Sequence, residues 1–282
     1  MVLKKTTVVP EINDIKNKAV RLELYQQKKA RLESNVPNTQ ENTREYDETI
    51  IEEHDEEIAQ DEAQDEFSQY YTGKTPKVLI TSTKKATKGT FEFANDLMSI
   101  IPDSEFIKRG VKFELNQIID FCVNRDYTDL CVISEDHREP SHLTIIHLPN
   151  GPTAKFRLTR IKDKKKIEGH GNPTAHKPEI ILNNFNTRLG HTIGKMFASL
   201  FPQLPEFSGR QVVTFHNQRD FIFFRRHRYE FVNGKRVNLQ EIGPRFTLRL
   251  IWLQKGLYDL KNGEYEWIFK PEMETSRRRF FL

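Results

Sequence analysis

Hydrophobic positions follow two different spacings along the chain, and the change from one to the other predicts the elements of a fold. Short unbroken apolar runs at 77–82 and 129–133 are typical of strands that are buried on both faces. Between them, apolar residues recur at a helical spacing, which predicts helices at 91–101 and 115–122. Further strands are predicted at 105–107, 143–148 and 154–161. This alternation of strands and helices predicts a layered α/β core.

The same kind of pattern returns after residue 178. A strand is predicted at 179–182, and a helix at 187–201 places apolar residues on one face. Strands are then predicted at 211–216, 221–231 and 246–253, with a tight turn at 217–220 and a second turn signal at Asn233-Gly234. Each part contains an amphipathic helix followed by paired strands. We therefore expect two similar α/β halves that share one core, although no residue-level repeat is visible.

The segment 215–229 carries the most specific signal. Its residues Phe221 to Phe224 are apolar on both faces of a strand, which predicts the centre of a covered sheet. Charged residues follow abruptly, so we expect the strand to leave the core at this point. Its end and the turn that precedes the strand would then bring a basic cluster together in one place. The members of this cluster are Arg219, Arg225, Arg226, His227, Arg228 and Tyr229.

This residue set suits RNA, because an arginine fork donates two parallel hydrogen bonds to phosphate and an aromatic ring stacks on an unpaired base. The alternative is a strand end whose charges merely face solvent. Other basic side chains lie on the predicted helix, on the late strand, and in the loop 81–89 before the first helix; they are Arg188, Lys195, Arg245, Arg249, Lys84, Lys85 and Lys88. The loop is a phosphate candidate because helix N-termini expose free N–H groups, and a solvated loop is its alternative.

Charge is distributed unevenly along the 282 residues. The formal net charge is +4, but residues 41–66 hold thirteen acidic residues and one basic residue, and residues 1–40 hold four acidic and eight basic residues. The remainder, 67–282, has 23 acidic and 35 basic residues, a net charge of +12. A body with this excess attracts polyanions, and its binding should weaken steeply with salt.

Several other functions find little support in the sequence. Two cysteines, Cys122 and Cys131, are too few for a disulfide scaffold or a four-cysteine zinc site, so buried free thiols in a reducing compartment are expected. His170 and His176 lie in a Gly- and Pro-rich loop that suits a backbone approach to some group, such as phosphate, better than a metal. No P-loop, membrane span or secretory signal is present, and Asp220 is more simply a turn residue than a nuclease group. We expect a soluble intracellular protein with no catalytic residues, no metal and no cofactor.

The chain also resembles the Brix domain proteins of ribosome assembly. The residues that carry the resemblance are 77–83, 91–95, 144–153, 181–190, 215–229 and 241–250, and the likeness extends over about residues 40–282. Within the family, the segments 42–50 and 169–174 point to one group of large-subunit assembly factors.

This resemblance implies two α/β halves that are each similar to an anticodon-binding domain. It also implies a location in the nucleolus of the nucleus, binding to precursor ribosomal RNA of the large subunit, and work beside other assembly factors, including a dedicated protein partner. It implies no catalysis. The alternative kept open is a protein-interaction scaffold whose RNA contact is incidental.

The expected organisation has four parts. A basic helical extension spans 1–40, with its helix at 11–33, and an acidic linker spans 41–75. The Brix domain spans 76–265, with a first half at 76–161, a linker at 162–178 and a second half at 179–265. A basic tail at 266–282 ends in three arginines, two phenylalanines and a leucine. We expect this tail to insert into a groove or to dock on a partner, with nuclear import as a competing role.

Overall fold

A single sheet joins all eleven strands of the described residues. The computed structural model describes residues 50–51, 65–68, 73–232, 236–276 and 278–282, which belong to one compact unit, Glu45–Leu282. The predicted basic helix 11–33, the turn at Asn233-Gly234 and most of the acidic stretch lie outside the described residues.

The elements follow the predicted alternation. The first half contains β1 (Val78–Ser82), α1 (Lys88–Ile100), β2 (Ser104–Phe106), α2 (Leu115–Val123), β3 (Asp129–Asp136), β4 (Glu139–His147) and β5 (Thr153–Lys162). The second half contains β6 (Glu179–Asn183), α3 (Arg188–Ser199), β7 (Gln211–Gln218), β8 (Phe221–Val232), β9 (Arg236–Glu241), β10 (Arg245–Gln254) and β11 (Tyr265–Ile268). The predicted α/β class and its two halves are confirmed, whereas β9 and β11 were missed.

The strand order shows how the two halves meet. It runs β2-β1-β3-β4-β5-β10-β8-β7-β6, and in addition β11 pairs with β10 and β9 pairs with β8. In each half, a parallel pair (β1 with β3, β6 with β7) continues into antiparallel neighbours. Antiparallel pairing of β5 with β10 joins the halves, so one sheet runs through both.

Two helices cover one face of this sheet and form the main core. Phe93 of α1 packs edge-on against Phe246 of β10, with ring centroids 5.5 Å apart. Phe197 of α3 contacts Phe156 of β5 at 5.3 Å. Because each helix contacts a strand of the opposite half, the halves share one hydrophobic cluster. Apolar burial of this kind contributes about 25 cal/mol per Å², so the shared core also holds the halves together.

The opposite face is covered unevenly. In the first half, α2 packs Ile119 and Cys122 against Leu79, Leu130 and other alternate residues of β1, β3 and β4. In the second half, no helix of the described residues lies over this face. Phe221, Phe223, Arg245 and Arg249 of β8 and β10 therefore keep exposed or half-buried side chains on this face.

Tight turns place the strand ends as predicted. Arg219 and Asp220, both with positive φ of 54° and 62°, connect β7 to β8 as a two-residue hairpin. Gly151, with a φ of +103°, lies at the end of the turn between β4 and β5, and a Cβ there would lie 2.5 Å from the carbonyl carbon of Gly256. The prediction that both segments form turns is thus confirmed.

Candidate nucleic-acid interface

Successive side chains of β8 point to opposite faces of the sheet. This alternation divides the basic cluster that the sequence predicts as one group. Ile222, Phe224 and Arg226 point into the helix-covered core, whereas Phe221 is 38% exposed and Arg225 is half-buried on the opposite face. The prediction of a strand buried on both faces is therefore wrong, because α1 and α3 lie on one face only. The basic residues consequently divide between the two sides of the sheet.

Arg226 is a core residue and lies outside the reach of a phosphate on the surface. Only 2% of its surface is exposed. Its guanidinium donates to the carbonyl oxygen of Ser99 at the end of α1 (2.9 Å) and to Oε1 of Gln211 on β7 (2.7 Å). Burial lowers the pKa of Arg226 to about 10. We therefore remove Arg226 from the candidate RNA contacts and assign it to the junction between the halves.

The uncovered face of the second half brings several other candidates together. Arg157 of β5 lies opposite Arg249 of β10, which lies opposite Phe221 of β8 in the strand register. The same face carries Phe223 and Arg225 one and two rows farther along β8, and Arg245 on β10. We call this set the arginine face; its members are Arg157, Phe221, Phe223, Arg225, Arg245 and Arg249.

Two of the four arginines already have carboxylate partners. Arg245 donates from Nε and Nη2 to the two oxygens of Glu241, each at 2.6 Å. Arg249 bonds Glu274 and lies between two rings, with its guanidinium carbon 5.0 Å from the centroid of Phe221 and 4.4 Å from that of Phe269. This stacking shows that the face can hold a planar cation against aromatic rings.

The other two arginines are less compensated, although the charge of Glu241 acts to raise the pKa of Arg225. Neither Arg157 nor Arg225 forms an ion pair with the described residues, and Arg157 lies exposed between His142 and Arg249 in register. Like charges directly opposite each other on a sheet are destabilising. An anion bound over this row would relieve that repulsion.

His227 is a neutral member of this surface. Burial, together with the nearby Arg225 and Arg245, lowers its pKa, although Glu241 acts in the opposite direction. The pKa of His142 is lowered as well, first by burial and then by Lys155 and Arg157. Both imidazoles are therefore largely uncharged at pH 7 in the free protein, so the positive charge of the face comes from its arginines.

The remaining residues of the predicted cluster lie apart from the arginine face. Arg228 points to the other side of β8 and donates to the carbonyl oxygen of Asn172 at 3.0 Å. Arg219 is exposed at the hairpin tip, 6.0 Å from the ring of Phe280. Tyr229 shares the side of His227 but uses its hydroxyl to bond Glu179. Only part of the cluster is thus brought to one place.

The candidates on α3 lie across the sheet from Arg225. Arg188 is exposed in the first turn of the helix. Lys195 forms an ion pair with Asp65 at 2.9 Å, and its side chain is only 15% exposed. An RNA strand on the arginine face would not contact these two residues.

The loop before α1 holds an internal anion where phosphate was expected. The carboxylate of Glu135 accepts hydrogen bonds from the backbone N–H of Thr87 (2.6 Å) and the hydroxyl of Thr90 (2.6 Å) at the helix start. Burial would raise the pKa of Glu135, but these bonds hold it below its usual value. Lys84 pairs with Glu114, and Lys88 lies 3.7 Å from Glu92, while Lys85 has a positive φ. Strands β3, β4 and β5 separate this loop from β10.

The end of the chain packs onto the body. Phe280 is 6% exposed and Leu282 is 1% exposed. Asp220 accepts the backbone N–H groups of Phe281 (2.8 Å) and Leu282 (2.9 Å), so it caps this segment and does more than close its own turn. The expected docking of this tail on a partner is therefore replaced by docking within the chain, and 265–268 pairs as β11.

The linker loop is bonded within the chain. Gly171 donates its backbone N–H to the carbonyl oxygen of Glu241 at 2.8 Å, so the chain itself uses the loop that was considered for phosphate.

In the described ranges, no group of three or more His, Cys, Asp or Glu side chains could hold a metal ion. Both cysteines are free and buried, and burial raises the pKa of Cys122 to about 11. None of the described helices is both long and apolar enough to cross a bilayer.

The sequence did not lead to Arg157 as a candidate, and it predicted that Phe221 and Phe223 are buried. Along β5, the outward Lys155, Arg157 and Thr159 alternate with the buried Ala154, Phe156 and Leu158. That alternation is visible in the sequence and could have indicated Arg157. The exposure of Phe221 could not have been found in this way, since an apolar run gives no sign of an uncovered face.

Comparisons with known proteins show what this chain is similar to. A family model described as the Brix domain matches residues 83–252. Over 251 residues the chain is 55% identical to mouse ribosome production factor 1, covering 88% of this chain and 71% of that protein. Over 255 residues it is 49% identical to ribosome production factor 1 of Saccharomyces cerevisiae, covering 89% and 83%. A solved structure of a probable ribosomal biogenesis protein from Aeropyrum pernix overlaps with a TM-score of 0.48 at 12% identity, covering 69% of this chain and 99% of the other.

Proposed function

The chain belongs to the Brix domain family, and from this premise we propose that it is a ribosome assembly factor that binds precursor ribosomal RNA through the arginine face. It acts in the nucleolus, during large-subunit (60S) assembly and the processing of the precursor RNA, beside other assembly factors. The names of the relatives support the assembly role, and the chemistry of the face supports RNA as the ligand.

The observation that carries the proposal is the row Arg157, Arg249 and Phe221 on an uncovered sheet face. A guanidinium recognises phosphate by paired hydrogen bonds, and an exposed ring offers a stacking surface to an unpaired base. Because Arg157 and Arg225 are close to other cations and form no ion pair with the described residues, a polyanion gains electrostatic energy at these two, whereas its contact with Arg249 competes with Glu274. Recognition of this kind reads shape and phosphate more than base sequence.

The proposal assigns binding and no catalytic step to this face. Guanidinium groups stay protonated at neutral pH, so they donate hydrogen bonds without exchanging protons. The net charge of +12 over residues 67–282 adds a long-range attraction that brings RNA to the body.

A matched pair of triple variants tests the proposal. Arg157→Gln, Arg225→Gln and Arg249→Gln together should weaken binding of a large-subunit precursor RNA fragment, and the slope of log affinity against log salt should fall by about two. Filter binding of the full chain over a range of salt concentrations gives both quantities.

The control variant removes three exposed cations elsewhere, Arg138→Gln, Lys166→Gln and Lys261→Gln. It loses the same net charge, so it should retain most of the affinity and nearly the whole salt slope. If both variants lose affinity equally, binding follows net charge alone and the assignment of RNA to the arginine face is wrong.

A further inference from the structure

The hairpin of β8 and β9 exposes an apolar surface that RNA binding does not explain. Phe231 is 65% exposed, Val237 46% and Leu239 62%. In the register, Tyr229 lies opposite Leu239 and Phe231 opposite Val237, so the four side chains share one side of the hairpin. We call them the hairpin patch. Contiguous exposed apolar residues of this kind mark interaction sites more often than isolated ones do.

The outer edge of β9 offers backbone groups beside this patch. Because successive residues of a strand point their N–H and C=O groups to alternate sides, Asn238 and Gln240 face β8, whereas Val237 and Leu239 face outward. The carbonyl oxygen of Glu241, also outward, accepts the N–H of Gly171 at 2.8 Å. The linker thus fills one position of this edge, and nothing in the described residues bonds the backbone of Val237 or Leu239. An open edge of this kind is a template for an added strand.

The charges around the hairpin indicate the chemistry of a partner. Its two carboxylates are engaged, Glu241 with Arg245 at 2.6 Å and Glu230 with Arg210 at 4.0 Å. Arg236, at the start of β9, is exposed and forms no ion pair with the described residues. Glu179, which bonds Tyr229, adds a third carboxylate, but five arginines lie around the hairpin (Arg210, Arg225, Arg228, Arg236 and Arg245). The surroundings therefore remain net positive, and an acidic segment fits them better than a basic one.

We propose that β9 binds an extended segment of a partner protein, which adds a strand at the outer edge. The segment carries apolar residues at every second position, facing the hairpin patch, and acidic residues near its ends. Aliphatic side chains such as Val237 and Leu239 give nucleic-acid bases no stacking plane, so the patch favours polypeptide over RNA. Strand addition also explains why apolar exposure and an open backbone edge coincide, since main-chain bonds give affinity and alternate side chains give specificity.

Site-specific photo-crosslinking in assembled particles tests this proposal. Benzoylphenylalanine replaces Val237, Asn238 or Leu239, one at a time, in the full chain within cells, and the adducts are mapped by mass spectrometry. We expect Val237 and Leu239 to crosslink to positions two residues apart in one acidic segment of a single protein, because side chains on one face of a strand recur with that period. Asn238, whose side chain lies on the other face, should not reach those positions.

A second variant separates binding from folding. Leu239→Glu should abolish the adduct formed from Val237, since it places a charge in the patch and opposes an acidic partner. Val111→Glu, at a site that is 66% exposed in the segment after β2, at the opposite end of the strand order, should leave the adduct unchanged. Adducts to RNA, adducts with helical spacing, or no adduct from either position would overturn the proposal.

Discussion

Neighbouring arginines on β8 have opposite environments, because one residue step reverses the face on which a side chain lies. Arg225 lies on the open side, where its pKa is lowered by partial burial and Glu241 partly offsets the effect. Arg226 lies in the core and bonds Ser99 of the first half and Gln211 of the second. The two residues should therefore respond differently to the same substitution.

We expect Arg226→Met to lower the free energy of unfolding by about 2–4 kcal/mol, because it leaves two buried acceptors without their charged donor. Arg225→Met should cost less than about 1 kcal/mol, since the side chain is only half-buried. Urea unfolding measures both variants. RNA affinity should show the reverse order, with Arg225→Met the weaker binder; equal effects of the two substitutions on stability would contradict the assigned environments.

His227 and His142 should make RNA binding depend on pH. Their pKa values are lowered in the free protein, so both are mostly neutral at pH 7. Bound phosphate favours the imidazolium form and raises those pKa values, so binding takes up protons and affinity should increase as pH falls from about 7 to about 5.5.

The double variant His142→Gln and His227→Gln provides the comparison for this pH dependence. For this variant, RNA titrations at several pH values should show an affinity that is nearly constant over the same pH range. A wild-type affinity that decreases toward low pH would place the RNA away from both histidines.

At the scale of elements, periodicity predicted most strands and all three described helices, because their apolar positions pack between a helix and the sheet on one face or the other. It missed β9, since every residue from Arg236 to Gln240 is exposed and no apolar face packed on the core marks this strand. It also treated the C-terminal segment as a tail. That error arose because the sites that receive Phe280 and Leu282 are built from distant residues, including Thr187 and Asp220.

The docked C-terminal segment contributes to stability. We expect Leu282→Ala to lower the free energy of unfolding by about 2–4 kcal/mol, since the side chain is 1% exposed within the main core. Leu204→Ala, at a site that is 82% exposed, should change it by less than about 0.5 kcal/mol. Thermal or urea unfolding of the two variants measures the difference. Equal stability of both variants would mean that the segment does not hold its position in solution.

At the scale of the whole molecule, the continuous sheet determines which basic residues can act together. The sequence shows an excess of 35 basic over 23 acidic residues in 67–282, but it does not show on which side they lie. Helices α1 and α3 cover one face, which separates Arg188 and Lys195 from Arg225. The arginine face and the hairpin patch lie on the same side of β8, so RNA and a partner strand could be held next to each other.

Residue-level ultraviolet crosslinking of the full chain to RNA in native assembly particles tests the central claim most directly. It reports every contact at once and requires no substitution. The account predicts that RNA adducts concentrate on the outward residues of β5, β8 and β10, with Phe221 and Phe223 foremost among them. Adducts confined to α3 and the loop of Lys84, Lys85 and Lys88, with none on these three strands, would contradict it.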